Sequence, residues 1–141
     1  MKNNKGFSLV ELIIVIAIMA ILAGALAPAL IKYINKSRKS TDISNGDLIA
    51  KAVTTALAEE AGFNACTATQ YTSSTLCAGG DDFTNETKST LGASQMKVKY
   101  GNQKGNDFIV TVDKANNKCE VYAGTTDGDN KVYPEQGANY K

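Results

Sequence analysis

The 141-residue sequence has no histidine and no tryptophan, and it contains only two prolines and three cysteines. Without histidine there is no imidazole to act as a general base or as a zinc ligand, so His-based triads and most zinc sites are excluded. Three cysteines are too few for a small domain held together mainly by disulfides. A formal net charge of +1 argues against a nucleic-acid binder that works through bulk electrostatics.

The patterns of common catalytic sites are missing too. No nucleophile stands beside a base in a known arrangement, and no glycine-rich phosphate loop follows a predicted strand. The acidic pairs Glu59-Glu60 and Asp81-Asp82 are typical of solvated surface. We therefore predict a protein that is not an enzyme and that needs no cofactor.

One long hydrophobic run dominates the amino-terminal part of the chain. Leu12 to Ile31 is a 20-residue stretch without a charged side chain, and 18 of its residues are Ala, Val, Ile, Leu or Met. Twenty helical residues span roughly 30 Å, the thickness of the hydrocarbon layer of a bilayer. Because the run has no amphipathic stripe, a buried helix of a soluble protein is disfavoured. The run predicts a helix inserted in a membrane.

Two simpler interpretations of the run are a secretory signal peptide and a plain single-span anchor. Lys2 and Lys5 would be the positive region of a signal peptide, and Ala25-Leu26-Ala27 resembles its cleavage site. The run is longer than the apolar region of a signal peptide, and Pro28 would directly follow the cut. Neither interpretation explains Glu11, because an ionised side chain at the centre of a membrane costs on the order of 3 kcal/mol and needs a partner.

The residues around Glu11 resemble a known family. Lys5-Gly6-Phe7-Ser8-Leu9-Val10-Glu11-Leu12, followed by an apolar run that contains Pro28, is similar to the amino terminus of a type IV pilin precursor. The resemblance covers about residues 1–35. It implies that a membrane-embedded prepilin peptidase cuts after Gly6 and N-methylates Phe7. It also implies that Glu11 pairs with the Phe7 amine of a neighbouring subunit during assembly.

The function that the resemblance implies is that of a structural subunit of a type IV pilus. The subunit would lie among the lipids of the cytoplasmic membrane and then join a helical homopolymer at the cell surface, with the help of the pilus assembly machinery. One alternative is a pseudopilin of a type II secretion or competence system. Another is a DNA-binding minor pilin at the filament tip, for which Lys97, Lys99 and Lys104 form a small basic strip. The acidic head argues against a nucleic-acid partner.

The predicted helix continues beyond the apolar run, over residues 32–61. Its apolar positions follow the i, i+3, i+4 spacing of a helix that packs on a core: Leu48, Ile49, Ala52, Val53, Ala56 and Leu57. Gly62 is a suitable residue to end this helix. Gly24 and Pro28 predict a kink, because proline removes a backbone donor. The resemblance implies that this segment can lose helicity in a fibre; a static kink is the alternative. Asn45-Gly46 predicts a further bend or interruption.

The remainder of the chain predicts a long loop and then a small sheet. Residues 63–94 are polar and have little periodicity, whereas residues 96–100, 107–112 and 119–123 alternate in hydropathy as strands do, and Val132-Tyr133 adds a short fourth strand. The predicted fold class is α+β. A long amino-terminal helix, half transmembrane and half amphipathic, packs on a three- to four-stranded antiparallel sheet within about residues 95–134. The predicted divisions are a leader (1–6), a hydrophobic helix segment (7–31) and a pilin head (32–141).

Two candidate sites lie in the predicted head. A Cys66–Cys77 disulfide would tether the polar loop, a bridge from Cys119 to either cysteine would tie the loop to the sheet, and three reduced thiols are the third possibility. Asp127, Asp129 and Asn130 offer oxygen ligands of the kind that calcium prefers. The match lacks the distal glutamate of an EF-hand, so we favour an ordinary Asp-Gly turn and predict no metal site.

Overall fold

The chain divides into two compact units, Met1–Lys36 and Ser37–Lys141. The computed structural model describes residues 7–92 and 95–141, so Gly6 and the rest of the predicted leader lie outside the described residues. The division falls after Lys36, somewhat later than the predicted boundary after Ile31. We call residues 37–141 the head unit.

The first unit consists of the beginning of helix α1 (Leu9–Ala58). Large apolar side chains cover all sides of this part of the helix and are exposed, Leu12 to 59%, Ile16 to 56% and Leu30 to 57%. The helix includes a segment that is long and apolar enough to cross a membrane, and none of that segment is buried. The helical assignment continues through Gly24 and Pro28, so the kink proposed at these residues stays a prediction.

The later part of α1 supplies the helical side of the head unit's core. Ile49, Val53 and Ala56 are fully buried, which confirms the amphipathic pattern at these positions, whereas Leu48, also assigned to the buried face, is 47% exposed. The predicted interruption at Asn45-Gly46 is wrong, because both residues are helical. Gly46 has a packing reason instead: a Cβ added there would lie 2.6 Å from Cγ2 of Val132. The close approach of a strand to the helix offsets the cost of about 1 kcal/mol that glycine brings to a helix interior relative to alanine.

The segment predicted as a loop, residues 63–94, is largely structured, and that prediction is wrong. It contains the end of α2 (Glu60–Ala65), strand β1 (Gln70–Thr72), α3 (Ser73–Ala78) and α4 (Asp82–Leu91). Two of its large apolar side chains, Leu76 and Phe83, are completely buried, whereas Phe63 is 39% exposed. The long helix ends at Ala58 and not at Gly62. Gly62 lies inside α2, where a Cβ would collide with the carbonyl oxygen of Ala56.

Hydrogen bonds from polar side chains start these short helices. The Thr72 hydroxyl accepts from the amide of Thr75 at 3.2 Å, at the start of α3. At the start of α4, the Asp81 carboxylate accepts from the Thr84 amide at 2.7 Å, and the Thr84 hydroxyl accepts from the Asp81 amide at 3.1 Å. This reciprocal arrangement is a capping box, which satisfies two backbone donors at once. Threonine and aspartate residues that suggested a loop are therefore the residues that cap these helices.

The sheet has four antiparallel strands in the order β1-β2-β3-β4. Strands β2 (Phe108–Asp113), β3 (Lys118–Ala123) and β4 (Lys131–Tyr133) lie where the alternating patterns predicted strands. The strand predicted at residues 96–100 is wrong, because only Lys97 forms an isolated bridge, to Asp107. The edge position beside β2 belongs to β1 instead. The α+β fold class is confirmed: a long amino-terminal helix whose later part packs on a small antiparallel sheet.

A buried carboxylate, which the sequence analysis missed, joins distant parts of the head unit. Asp42 on α1 is 0% exposed. Its side-chain oxygens accept from the amides of Lys99 (2.7 Å) and Tyr100 (2.9 Å) and from the hydroxyl of Tyr140 (3.1 Å). Burial raises the pKa of Asp42, and these hydrogen bonds act in the opposite direction. The carboxylate thus holds the carboxyl-terminal turn and residues 99–100 against the helix.

Candidate assembly site and the predicted sites of the head unit

Ser8 and Glu11 form a variant of the capping box at the start of α1, in which the serine hydroxyl accepts from Val10 and not from Glu11. The amide of Ser8 donates to Oε2 of Glu11 at 2.8 Å, and the Ser8 hydroxyl accepts from the amide of Val10 at 3.3 Å. Both hydrogen bonds are exposed. A serine followed three residues later by a glutamate is the sequence signature of this motif. The sequence analysis noted Glu11 for its charge and overlooked this local partner.

The capping box fixes where the Glu11 carboxylate lies. Its donor is the amide of the residue directly after Phe7, so the carboxylate is held at the amino-terminal end of α1. This end of a helix carries a partial positive charge, which favours an anion. The other oxygen, Oε1, accepts no hydrogen bond from residues 7–92 and 95–141. Phe7 itself is 87% exposed. The carboxylate therefore retains the capacity to accept from a second donor near Phe7.

The predicted Cys66–Cys77 disulfide is wrong, and so is a bridge to Cys119, because Cys66 and Cys119 are free thiols. The Cys66 sulfur accepts from the Tyr71 hydroxyl at 3.6 Å, and the Cys119 thiol donates to the carbonyl of Ala50 at 3.7 Å. Burial raises the pKa of Cys119 to about 11. The physical reason for the error is that residues 63–94 have their own helices and buried side chains, and so need no covalent tether.

The calcium candidates are engaged in local hydrogen bonds of a turn. Oδ1 of Asp127 accepts from the amide of Asp129 at 3.3 Å. The Asn130 side chain donates to the Thr125 hydroxyl at 2.8 Å and accepts from Asn139 at 2.9 Å. Within the described part of the chain, no group of three or more acidic, cysteine or histidine side chains is arranged to hold a metal. The geometry is that of an Asp-Gly turn.

The basic strip proposed for DNA binding is smaller than the sequence suggested. Lys97 forms an ion pair with Asp107 at 2.7 Å and also donates to the Ser74 hydroxyl at 3.2 Å. The Ser74 and Ser73 hydroxyls donate to the same Asp107 oxygen, at 2.6 and 3.0 Å. The lysine and these hydroxyls lower the pKa of Asp107, although partial burial opposes them. Lys97 thus connects structural elements, and only Lys99 and Lys104 remain of the strip.

Comparison with known proteins finds a family match at the amino terminus and two relatives that align with most of the chain. Residues 1–27 match the family described as the prokaryotic N-terminal methylation motif. Two relatives, each described as the type IV major fimbrial protein FimA of Dichelobacter nodosus, are 34% identical over 98 residues and 37% identical over 100 residues. These matches support the resemblance to type IV pilins. No solved structure matches it significantly.

The matches cover 69% of this chain and 63% and 62% of the two relatives. The chain therefore spans less than two thirds of the length of these fimbrial proteins. The family match over residues 1–27 supports the resemblance carried by residues 5–12. Relatives that are fimbrial proteins are also consistent with the prediction that this protein is not an enzyme.

The state of the thiols in this chain is open to a direct test. Purified chain is treated with iodoacetamide without reductant, either folded or in guanidinium chloride, and the modified residues are mapped by mass spectrometry. We expect Cys66 and Cys119 to be alkylated in full after unfolding, and Cys119 to react slowly in the folded chain because its pKa is about 11. A need for reductant before either residue reacts would contradict the structure.

Proposed function

We propose that this protein is a type IV pilin, the structural subunit of a type IV pilus, and that it assembles with copies of itself into a helical filament. A prepilin peptidase cuts after Gly6 and methylates the new amino terminus at Phe7. The subunit waits in the cytoplasmic membrane and is moved by the assembly machinery into the filament at the cell surface. The relatives are described as major fimbrial proteins, which favours this function over a secretion or competence pseudopilin.

The exposed apolar part of α1 is the observation that carries this proposal. Side chains such as Leu12, Ile16 and Leu30 are more than half exposed in the single chain. Fully burying an aliphatic side chain of this size is worth about 1.5–3 kcal/mol. Such a surface is stable in lipid, and it is also stable against the same surface of other copies. A filament core offers that second environment, and its subunit contacts are heterologous because a filament does not close.

Glu11 supplies the specificity that apolar contacts lack. In the single chain its Oε2 is occupied by the Ser8 amide, and Oε1 has no partner in the described residues. An ammonium group on Phe7 of a neighbouring copy would provide a charged donor for this carboxylate. A buried ion pair costs much less than a lone buried charge. The pairing therefore favours one register between neighbouring subunits.

The mature amino terminus tests the processing step. Chain recovered from cell-surface filaments is analysed by intact and fragment mass spectrometry. We expect residue 7 to be first and to carry one added methyl group on its nitrogen. A chain that begins at Pro28 would support the alternative of a secreted protein cut after Ala27 and would contradict the proposal.

Two variants at the start of α1 separate charge from helix capping. Glu11→Gln removes the charge and keeps an acceptor for the Ser8 amide, as a glutamine can complete a capping box. Ser8→Ala removes the hydroxyl that accepts from Val10 and keeps the carboxylate. Cells that make each variant are compared by the amount of filament sheared from the surface and by immunoblots of membrane-bound processed chain.

We expect Glu11→Gln to reduce surface filaments at least tenfold while insertion and processing continue. Ser8→Ala should cost only the stability of an exposed cap, about 1 kcal/mol, and should reduce filaments much less. Wild-type filament levels in Glu11→Gln would contradict the pairing role. Equal losses in both variants would show that helix capping, and not charge, is what assembly requires.

A further inference from the structure

A groove of about 850 Å³ lies across the sheet of the head unit, and none of the functions discussed above uses it. Its volume is within the range of small-molecule binding sites, about 300–1,000 Å³. The residues that line it include Gln70 on β1, Thr111 on β2, Glu120 on β3 and Tyr133 on β4. Every strand of the sheet thus contributes a side chain with a hydrogen-bonding group.

The strand register places three of these side chains in one line. Gln70 pairs with Thr111, and Thr111 pairs with Glu120. Residues that alternate with them, such as Tyr71 and Val110, are buried in the core, so the three polar side chains face away from α1. Neighbouring strands are about 4.8 Å apart. An amide, a hydroxyl and a carboxylate are therefore spaced evenly along the groove.

Two of the three groups are available to a ligand, and the third is fixed in place. Gln70 is exposed, and within the described part of the chain neither its amide nor the Thr111 hydroxyl makes a side-chain hydrogen bond. The Glu120 carboxylate accepts from Lys131 at 2.6 Å and from the Tyr122 hydroxyl at 2.6 Å. A carboxylate held on both oxygens is a pre-organised acceptor, which reduces the entropy lost on binding.

The chemistry of the lining selects the class of ligand. Lys118 faces Asp113 within the lining, and Lys131 is paired with Glu120, so the groove offers no excess of positive charge to a phosphate or another polyanion. The polar line is unsuited to a purely apolar molecule, because its amide and hydroxyl would lose water without gaining partners. Hydroxyl groups can donate to the carboxylate and exchange hydrogen bonds with the amide, and the half-buried ring of Tyr133 offers an apolar contact.

We propose that this groove binds a neutral oligosaccharide, with its hydroxyl groups on Gln70, Thr111 and Glu120 and a sugar ring against Tyr133. The proposal does not rest on filament assembly. It concerns a surface of the head unit that each subunit carries, and it is tested on the single chain. Binding of a glycan would add a recognition activity to a structural subunit.

The test uses the full chain in a detergent that has no sugar headgroup, since such a headgroup would compete for the groove. Neutral oligomers of three to six units of glucose, mannose, galactose or N-acetylglucosamine are titrated and followed by nuclear magnetic resonance or calorimetry. We expect at least one series to bind. Gln70→Ala and Thr111→Val should each weaken its binding about tenfold, and the two together by more.

The variants are chosen so that the fold survives. Gln70 is exposed, and Thr111→Val keeps a β-branched side chain of similar shape in β2. Gln95→Ala, at an exposed glutamine that does not line the groove, is the matched control and should bind as the unmodified chain does. Circular dichroism of each variant checks the fold.

Three results would overturn the proposal. The first is the lack of binding by every neutral oligomer at millimolar concentration. The second is binding that the Gln70→Ala, Thr111→Val double variant leaves unchanged. The third is binding only of sulfated or carboxylated oligosaccharides, with an affinity that falls as salt is added, because that dependence identifies a charged surface.

Discussion

An uncovered apolar helix surface is the constraint on which the rest of this structure depends. The side chains of α1 before residue 32 are exposed in the single chain, and a segment of that helix is long enough to cross a bilayer. Water is therefore the wrong environment for the first unit, and both environments in the proposed function, lipid and fibre core, supply apolar neighbours. A folded head unit on the same helix accounts for the polar remainder of the chain.

Two carboxylates on α1 have opposite roles. Asp42 is buried and receives three hydrogen bonds, so it stabilises the head unit from within. Glu11 is exposed and receives one hydrogen bond from its own chain, so it retains an oxygen for a partner. The same side-chain chemistry thus closes one site and leaves the other open, and the difference lies in how many donors the fold places around each carboxylate.

The sequence was most informative where a pattern extended over several residues. Three patterns each combine many residues: the alternation at residues 108–123, the apolar positions from Ile49 to Leu57, and the motif around Gly6 and Phe7. The strands and the buried helix face are found in the structure where the first two patterns predicted them. The prediction of a loop over residues 63–94 was wrong because short helices begin with the threonine and aspartate that also mark loops. The roles of Gly46 and Asp42 could not be predicted because each depends on a contact distant in sequence. Gly46 lies against Val132, and Asp42 accepts hydrogen bonds from residues 99–100 and 140.

The central claim, that Glu11 of one subunit pairs with the amine of Phe7 of another, is tested most directly by solid-state nuclear magnetic resonance of mixed filaments. One batch of subunits carries carbon-13 glutamate and a second carries nitrogen-15 phenylalanine, and the two are assembled together. The account predicts a correlation between the Glu11 carboxyl carbon and the Phe7 nitrogen in the mixed filaments. A correlation that appears only when both labels are in the same subunit would contradict it.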